Sequence, residues 1–558
     1  MKNSNSISQI PHRISQIVIF FFLSVSVLFA KVNERPKLVV AITIDQFPYE
    51  YLEKFRPYFG KGGFNLLLKN GANFTNATYK HSINETGPGH ASIYSGCYGN
   101  KNGIVMNDWF DRKLHRRVNC AEDTSIKNFH SSRIGRSPKN NLAYTVGDML
   151  RLSNNFQSKV IGISMKDRGA IFPAGKFANA AYWIEDSMFT SSNYYMQSLP
   201  DWVEKFNARK NIDSYFGKNW NKLLVEKEYK TLCDIDDAKY ESDEDGLGLS
   251  FPHIIHGKEK TPKTKTYYEA FFTSPFCNDV LLQFAKEAIE QEQLGKRNVT
   301  DMLCVSFSAN DYVGHNYGPN SQEVMDITVR TDRLLEEFFK YLDKIIGLKN
   351  CVITLTADHG VAPIPDYLKS RFTNIEAGKI TPKEIRQLSE RFLNNTFGTF
   401  SDTTHWIDFV VHHNIYISEK ACKSKSISVE QAAKVIQDSL LQMKEIVDVF
   451  RADELKSGSR QTPFTSKLKN SFFEKRSGDV FFVMKPYYLE DRGSNTTHGA
   501  PYNYDAHVPV LFYGKGVMKM ESNEDCAPID IAATLSSLLG IEFPPMSEGR
   551  VLEVRSKK

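Results

Sequence analysis

The sequence predicts an α/β fold: a three-layer α/β/α sandwich with a mostly parallel central sheet and cap-like insertions. The first observation is three continuous apolar runs, over residues 37–45, 302–311 and 351–358, each ending in a polar turn. They are short, rich in β-branched residues and lack the alternation of a half-exposed strand, which is typical of parallel strands buried on both faces. The second is that helical patterns alternate with such runs, which favours helices on both sides of a sheet. These patterns cover residues 144–152, 275–292, 322–346 and 528–539.

The first thirty residues are typical of a signal peptide. Lys2 and Arg13 make the start positively charged, and an apolar run follows over residues 17–30. A run of about 14 residues is shorter than the roughly 20 that span a bilayer. We therefore expect cleavage after Ala30 and export to the periplasm or outside the cell, with no stable membrane association afterwards. Leu28 departs from the small-residue preference near a cleavage site, so an uncleaved membrane anchor is the alternative.

The composition is that of an ordinary globular protein. The chain has 558 residues, of which 41% are hydrophobic and 24% charged, which excludes a disordered or fibrous protein. The formal net charge is +5 and the basic residues are scattered, so we expect no nucleic-acid partner. The eight cysteines include no Cys-x-x-Cys pair, which excludes a zinc ribbon.

Two stretches interrupt the alternation of strands and helices. Residues 182–265 are rich in aromatic and charged side chains, and residues 369–482 carry helical patterns of their own at 381–394 and 429–443. We expect both stretches to be insertions, or a cap, on one catalytic domain that spans residues 31–558.

Six Asp and His residues, most of them at the ends of the predicted strands, form a candidate metal site. Side chains at the carboxyl ends of strands in an open α/β sheet converge at one edge. Asp and His suit zinc held with open positions, and two such ions about 3.5–4 Å apart can clamp the attacking and leaving oxygens of a phosphoryl transfer. The residues are Asp45, Asp311, His315, Asp358, His359 and His498.

The local sequence around two of these pairs suggests how they reach a metal. Asp311 and His315 are four residues apart, which on a helix places both on one face; Gly314 and the Asn-Tyr-Gly-Pro run after it favour an irregular turn instead. Asp358 and His359 precede a glycine, where the chain can turn and let adjacent side chains point inward, as a regular strand forbids. A solvated turn explains either pair alone, whereas three such sites at strand ends favour metal binding.

Thr86 is a candidate nucleophile. It lies in the segment Asn-Glu-Thr-Gly-Pro-Gly-His, residues 84–90, at the start of a helical pattern, where exposed backbone N–H groups favour an anionic phosphate. A helix N-cap is the ordinary role of such a threonine, but beside two metal ions its hydroxyl can be activated for attack. His90 has no evident partner in the sequence, and we interpret it as structural.

Lys166 and Arg168 are candidates for phosphate binding. They follow the apolar run 160–164, and two cations at i, i+2 on an extended segment lie on the same side. Arg presents a planar fork and Lys a point charge to phosphate oxygens. A solvated surface pair is the alternative interpretation.

Together these segments resemble the alkaline phosphatase superfamily, and closely the phosphate-irrepressible, PafA-type alkaline phosphatases that use a threonine nucleophile. The resemblance runs from about residue 37 to the C-terminus and keeps the segments in family order. They are Asp45, residues 84–90, 103–111 and 166–169, Asp311 with His315, residues 356–360 and residues 497–499.

The resemblance implies a role for each candidate residue. Thr86 would attack phosphate monoesters of small molecules, form a covalent phosphothreonine and release inorganic phosphate. Two Zn²⁺ ions would assist, and Asn107, Lys166 and Arg168 would hold the non-bridging phosphate oxygens. The expected ligands are Asp311, His315 and His498 for one zinc and Asp45, Asp358 and His359 for the other.

Three alternatives are weighed against this activity. A nucleotide pyrophosphatase or phosphodiesterase of the same superfamily shares the six ligands and the threonine. Lys166 and Arg168 favour the monoesterase, because a monoester dianion carries more charge than a diester. A sulfatase would need a Cys-x-Pro-x-Arg segment, which the chain lacks. A zinc-binding protein without turnover would not be expected to keep the nucleophile and the cationic pair.

Overall fold

Nine strands form a single central sheet. The structure is a computed structural model, and it describes residues 35–243 and 245–555; the predicted signal peptide lies outside these residues. The strands, in chain order, are β1 (Leu38–Ile44), β2 (Ala72–Phe74), β3 (Val160–Ser164), β4 (Ala180–Glu185), β5 (Met188–Thr190), β6 (Asp301–Phe307), β7 (Cys351–Thr356), β8 (Val510–Gly514) and β9 (Met520–Ser522). Across the sheet their order is β9-β2-β8-β7-β1-β6-β3-β4-β5.

The sheet is mostly parallel, as predicted. Strand β1 pairs in parallel with β6 and β7, β6 with β3, and β3 with β4. Strand β8 runs antiparallel to β7 and β2, and β5 runs antiparallel to β4. Every residue of β1, β3, β6 and β7 is buried, because helices and loops cover both faces. The predicted α/β class and the three predicted strands are confirmed.

The longer helices agree with the sequence patterns to within a few residues. The principal ones are α1 (Thr86–Ser95), α2 (Val146–Leu152), α3 (Asp167–Ala174), α4 (Pro275–Gln291), α5 (Ala309–Tyr317), α6 (Gln322–Ile345), α7 (Pro382–Phe397), α8 (Val429–Leu440) and α9 (Asp530–Leu539). Further helices cover Glu50–Lys54, Phe64–Asn70, Gly99–Asn102, Asp201–Ala208, Glu226–Leu232, Lys265–Phe272, Pro365–Arg371, Glu419–Ser424, Ala452–Ser457, Thr465–Asn470 and Asn503–Ala506. Among the described residues, no helix has the length and apolar character needed to cross a membrane.

The register of the central strands explains why their ends meet. Ile44 at the end of β1 lies opposite Phe307 at the end of β6, and Thr43 lies opposite Thr356 at the end of β7. The backbone N–H of Asp45 donates to the carbonyl of Phe307 at 2.9 Å. The turns that leave β1, β6 and β7 therefore start at the same edge of the sheet.

The second expected insertion contains a sheet of its own. Its four antiparallel strands are ordered Ile407–Val411, Asn414–Ile417, Val480–Met484 and Ile446–Arg451. Helices α7 and α8 contribute to a hydrophobic cluster distinct from the main core. Of these four strands, the one that comes last along the chain, Val480–Met484, continues two residues past the expected end at 482.

The first expected insertion starts later than the sequence indicated. Residues 182–185 belong to β4 and residues 188–190 to β5, so the segment outside the central sheet begins only after β5. Tyr182 and Trp183, two of the aromatic residues at the start of this stretch, are buried in the core. Small two-stranded sheets lie around the core: Asp108–Asp111 with Arg116–Asn119, Glu122–Lys127 with Ile134–Arg136, Asn219–Trp220 with His253–Ile254, and Gly378–Ile380 with Tyr488–Glu490.

All eight cysteines lie among the described residues, and all are free. Cys304 in β6 and Cys351 in β7 are buried, as small apolar residues commonly are. Neither forms a disulfide in this structure.

Candidate active site

The structure brings the six predicted Asp and His ligands to the carboxyl edge of the central sheet. Asp45 directly follows β1, Asp311 and His315 lie on α5 after β6, and Asp358 and His359 lie in the turn after β7. His498 reaches the same place from a loop before β8.

Asp311, His315 and His498 form one compact group. Their potential ligand atoms all lie within 4.8 Å of one another. Asp311 Oδ1 is 3.3 Å from His315 Nε2 and 3.6 Å from His498 Nε2. One carboxylate and two imidazoles at such distances can converge on a single divalent ion.

The irregular turn favoured for residues 311–315 is wrong, because these residues lie in helix α5. Gly314 has a different reason to be glycine: a Cβ there would lie 1.7 Å from Gln46 Oε1. Gln46 in turn donates through Nε2 to Asp311 Oδ1 at 2.8 Å. The glycine therefore admits a neighbour that holds Asp311, which the local sequence did not reveal.

The expected ligands of the second ion, Asp45, Asp358 and His359, are called the second group; it lies beside the first, with His359 Nε2 4.0 Å from Asp311 Oδ1. His359 Nε2 lies 3.4 Å from Asp358 Oδ2, and the ring of His359 stacks on that of His498 with centroids 3.5 Å apart. The two groups are therefore in contact, as a site for two neighbouring metal ions requires.

His90 also lies beside this second group, with partners that no local sequence pattern indicated. Its Nδ1 is 2.9 Å from the carbonyl of Thr86 and its Nε2 is 2.9 Å from Ser306 Oγ. Asp45, His90 and Asp358 offer atoms within 4.8 Å of one another. Both ring nitrogens of His90 thus have partners, whereas His359 Nε2 has no hydrogen-bond partner among the described residues.

The three predicted histidine ligands share one orientation. In each, Nδ1 faces a backbone carbonyl, which requires an N–H there and leaves Nε2 with its lone pair for a metal. The pairs are His315 with Thr496 at 2.9 Å, His359 with Gly360 at 2.9 Å and His498 with Asn84 at 2.7 Å.

Four buried polar atoms of the ligand groups and Thr86 have no hydrogen-bond partner among the described residues, although Asp45 Oδ2 lies 3.1 Å from the ammonium of Lys166. They are Asp45 Oδ2, Asp358 Oδ2, His359 Nε2 and Thr86 Oγ1. Buried polar atoms are normally satisfied, so an unpaired set of two carboxylate oxygens, an imidazole nitrogen and a hydroxyl is a donor set suited to a divalent cation. The residues present therefore fit the metals that the resemblance implies.

The pKa shifts of the three aspartates also agree with a site for cations. Burial raises the pKa of Asp311, but Lys166, His315 and His498 outweigh it, and the pKa lies well below its usual range. At Asp45 burial is also outweighed, by Lys166 and His90, and the pKa is lowered. Burial and the charge of Asp45 raise the pKa of Asp358. A cation among these carboxyls would favour the ionised form of Asp358.

Thr86 begins helix α1 and is buried, with 1% of its surface exposed. Asn107 is held beside it, because the N–H of Gly87 donates to Asn107 Oδ1 at 2.7 Å. A Cβ on Gly89 would lie 2.3 Å from the carbonyl oxygen of Asp358. The glycines of the 84–90 segment thus let the start of α1 approach both Asn107 and the second ligand group.

Lys166 and Arg168 lie at a strand-to-helix turn, so the expectation of one extended segment is wrong. Lys166 is the N-cap of α3 and Arg168 is in the first turn of that helix. Lys166 Nζ donates to Asp311 Oδ2 at 2.6 Å and lies 3.1 Å from Asp45 Oδ2. Arg168 Nη1 lies 3.6 Å from Asp167, and its Nε is buried with no hydrogen-bond partner in the part of the chain that the structure describes. Neither is a solvated surface residue.

Comparison with known proteins identifies the family. Residues 39–502 match the family described as Type I phosphodiesterase / nucleotide pyrophosphatase. The chain is 37% identical over 530 residues to alkaline phosphatase PhoV of Synechococcus elongatus, with 94% of each chain covered. It is 35% identical over 533 residues to alkaline phosphatase PafA of Elizabethkingia meningoseptica, covering 92% of this chain and 94% of that one.

Solved structures of alkaline phosphatase PafA share the fold closely. The wild-type crystal structure superposes with a TM-score of 0.87 at 33% identity, covering 94% of this chain and 99% of that one. A variant with a threonine, an asparagine, a lysine and an arginine substituted superposes with a TM-score of 0.86. The chain therefore belongs to the type I phosphodiesterase / nucleotide pyrophosphatase family and, within it, to the PafA-type alkaline phosphatases.

Proposed function

We propose that this protein, a phosphoric monoester hydrolase by its family, cleaves small-molecule phosphate monoesters through a covalent phosphothreonine on Thr86. The observation that carries this proposal is the Thr86 hydroxyl. It is buried and has no hydrogen-bond partner among the described residues, and it lies at the N-terminus of α1, which approaches Asp358 of the second group closely at Gly89. A hydroxyl with only a capping role would be bonded to the helix backbone.

Two Zn²⁺ ions fit the two ligand groups. Asp311, His315 and His498 would hold one ion, and the second group would hold the other through Asp45, Asp358 and His359. When bound, zinc supplies positive charge that lowers the pKa of a nearby hydroxyl and stabilises the anionic leaving group.

Thr86 performs the chemistry in two displacements. Its Oγ forms a bond to phosphorus as the bond to the ester oxygen breaks, and the hydroxyl proton passes to solvent. The departing alkoxide takes up a proton and leaves as the alcohol. Water then attacks the phosphothreonine, the bond between phosphorus and Oγ breaks, and Thr86 regains its hydroxyl as inorganic phosphate departs.

Asn107, Lys166 and Arg168 would hold the non-bridging phosphate oxygens. The Gly87 N–H occupies Asn107 Oδ1, so the amide presents its NH₂ group as a donor. The substituted PafA variant supports this set: its threonine and asparagine are 21 residues apart and its lysine and arginine two apart, the spacings of Thr86 to Asn107 and Lys166 to Arg168 here. Donors aimed at developing charge are the main source of catalysis in phosphoryl transfer.

A phosphodiesterase is the second candidate, favoured by the family description of residues 39–502. The buried ammonium of Lys166 argues against it. Lys166 has its side chain 5% exposed, and a diester with only one negative charge uses such a cation less well than a monoester dianion.

We also propose that the protein is exported. The support is the charged and apolar start of residues 1–30, which would be removed after Ala30. Sequencing the N-terminus of the protein recovered from the periplasm and from the medium tests this, and an N-terminus at Met1 would contradict it.

Hydrolysis of p-nitrophenyl phosphate by zinc-loaded and chelator-treated protein tests the activity. We expect turnover that is lost on chelation and restored by Zn²⁺, with bis-p-nitrophenyl phosphate hydrolysed more slowly. Elemental analysis should find two zinc ions per chain. Activity that survives metal removal would contradict the metal assignment, and a faster diester would favour the second candidate.

A further inference from the structure

A ring of contacts among acidic and basic residues, most of them buried, lies beside Thr86, outside the set of predicted site residues. Glu85 immediately precedes Thr86 and is fully buried. Its Oε1 lies 2.8 Å from Arg492 Nη1 and 2.5 Å from His412 Nδ1. Arg492 Nε donates to Glu490 Oε1 at 2.8 Å, and Glu490 Oε2 accepts from the backbone N–H of His413 at 3.0 Å. The ring thus connects the nucleophile segment to the second insertion.

The other oxygen of Glu85 is directed at Asn107. Glu85 Oε2 accepts from the backbone N–H of Asn107 at 2.9 Å, while Asn107 Oδ1 accepts from the N–H of Gly87. Asn107 is therefore fixed at two points, and both fixing groups flank Thr86. Glu85 is the N-cap of α1, yet its side chain makes no capping hydrogen bond.

The charge of Glu85 needs an explanation so close to a phosphate site. An unpaired buried carboxylate would repel a phosphate and is costly to bury. Burial raises the pKa of Glu85, but His412 and Arg492 outweigh burial and keep the pKa well below its usual range. The two partners therefore keep Glu85 as an ionised hydrogen-bond acceptor.

The turn that supplies His412 is strained. His412 and His413 form the two-residue connection between Ile407–Val411 and Asn414–Ile417, and their φ angles are +48° and +61°. This is a tight hairpin turn, in which glycine, asparagine and aspartate are the usual residues. Histidine is kept in such a conformation where its surroundings demand it, commonly at functional sites. The turn places His412 Nδ1 2.5 Å from Glu85 Oε1.

We propose that Glu85 is a positioning residue for Asn107, and that His412 and Arg492 act through it. The inference rests on the proposed role of Asn107 in holding phosphate. The proposal gives the second insertion a role at the phosphate site. Its hairpin turn at His412 helps to position Asn107, in addition to covering the cleft.

A double-mutant cycle on the full zinc-loaded chain tests this. The variants are His412→Asn, which tolerates the left-handed backbone, Asn107→Ala and the pair together. We expect His412→Asn to lower kcat/KM for p-nitrophenyl phosphate, and to weaken inhibition by inorganic phosphate, by about fivefold or more when Asn107 is present. In the Asn107→Ala background the further loss should be under about twofold, because coupled residues are non-additive.

Two further variants keep the test decisive. His405→Asn is the matched control, since its side chain is 66% exposed on the same insertion, and it should leave both constants unchanged. If thermal melting shows that His412→Asn is unfolded, Glu85→Gln is used in the same cycle, because it keeps the shape and removes the charge.

Three results separate the possible failures. Equal losses with and without Asn107 would overturn the positioning role, as would no loss at all when Asn107 is present. Both outcomes leave the proposed function intact, provided that the wild type is active and Asn107→Ala is impaired. A wild type without monoesterase activity would instead overturn the proposed function.

Discussion

The ammonium of Lys166 donates to Asp311 Oδ2 at 2.6 Å, which joins the cation proposed to bind phosphate to a carboxylate proposed to bind zinc. Lys166 also lies 3.1 Å from Asp45 in the other ligand group. Both carboxylates are buried, so a single cation between them offsets charges that would otherwise repel each other. Lys166 thus contacts a carboxylate of each ligand group, and it is also the residue proposed to balance the negative charge of the phosphate.

Replacing Lys166 by alanine should therefore impair monoesters more than diesters. We expect kcat/KM for p-nitrophenyl phosphate to fall by about 10²-fold, the typical effect of removing one group that stabilises transition-state charge. The loss for bis-p-nitrophenyl phosphate should be under about tenfold, because the diester presents less charge. Lys176→Ala, at a partly exposed lysine near Tyr144, serves as the control. Equal losses for both substrates would refute the assigned role.

Replacing Thr86 by alanine should abolish the phosphoenzyme. Without Oγ no covalent bond to phosphorus can form, and we expect kcat to fall by at least about 10³-fold. Acid-quenched protein analysed by intact mass should lose the phosphorylated species. Zinc content should remain that of the wild type, because the six ligands are untouched. Thr86→Ser keeps the hydroxyl and should retain measurable phosphoenzyme; a phosphoenzyme in the alanine variant would place the nucleophile elsewhere.

Replacing Gly89 by alanine should destabilise the fold and weaken the second ligand group. The added methyl would lie 2.3 Å from the carbonyl oxygen of Asp358, and backbone on both sides has to shift. We expect a loss of about 1–3 kcal/mol in urea unfolding, typical of overpacking, together with lower zinc content. Gly60→Ala is the control, because its methyl meets mainly the ends of the Arg333 and Glu336 side chains. Similar effects of the two substitutions would argue against a special role for Gly89.

Glu241 should make stability fall as the pH rises. Burial and the charge of Glu323 raise the pKa of Glu241 from 4.5 to about 9. Between these values the folded state retains a proton that the unfolded state has lost, so the free energy of unfolding decreases with pH, by at most about 1.4 kcal/mol per pH unit.

Substitution Glu241→Gln should remove this contribution. Urea unfolding at pH 5.5 and pH 8.5 should show that the variant gains stability relative to the wild type as the pH rises. The exposed Glu430→Gln should show no such divergence. A variant that is equally stable relative to the wild type at both values would mean that Glu241 ionises normally.

Much of the fold and of the site followed from local sequence. The apolar runs ending at Asp45 and Asp358 predicted buried parallel strands because burial on both faces demands uninterrupted apolar residues. The convergence of polar residues at the strand ends then followed from the geometry of parallel sheets. Helix α5 was mispredicted because the reason for Gly314 is Gln46, more than two hundred residues earlier in the chain.

The sequence by itself determined the α/β class, the strands that carry the candidate ligands, the candidate ligands themselves and the candidate nucleophile. These depend on residue type and on periodicity within one element. Only the tertiary structure decided the partners: His90 between Thr86 and Ser306, Lys166 between two carboxylates, and Glu85 held by His412 and Arg492. Such contacts join segments that lie up to four hundred residues apart, and their physical basis is the packing of whole elements, which no local pattern records.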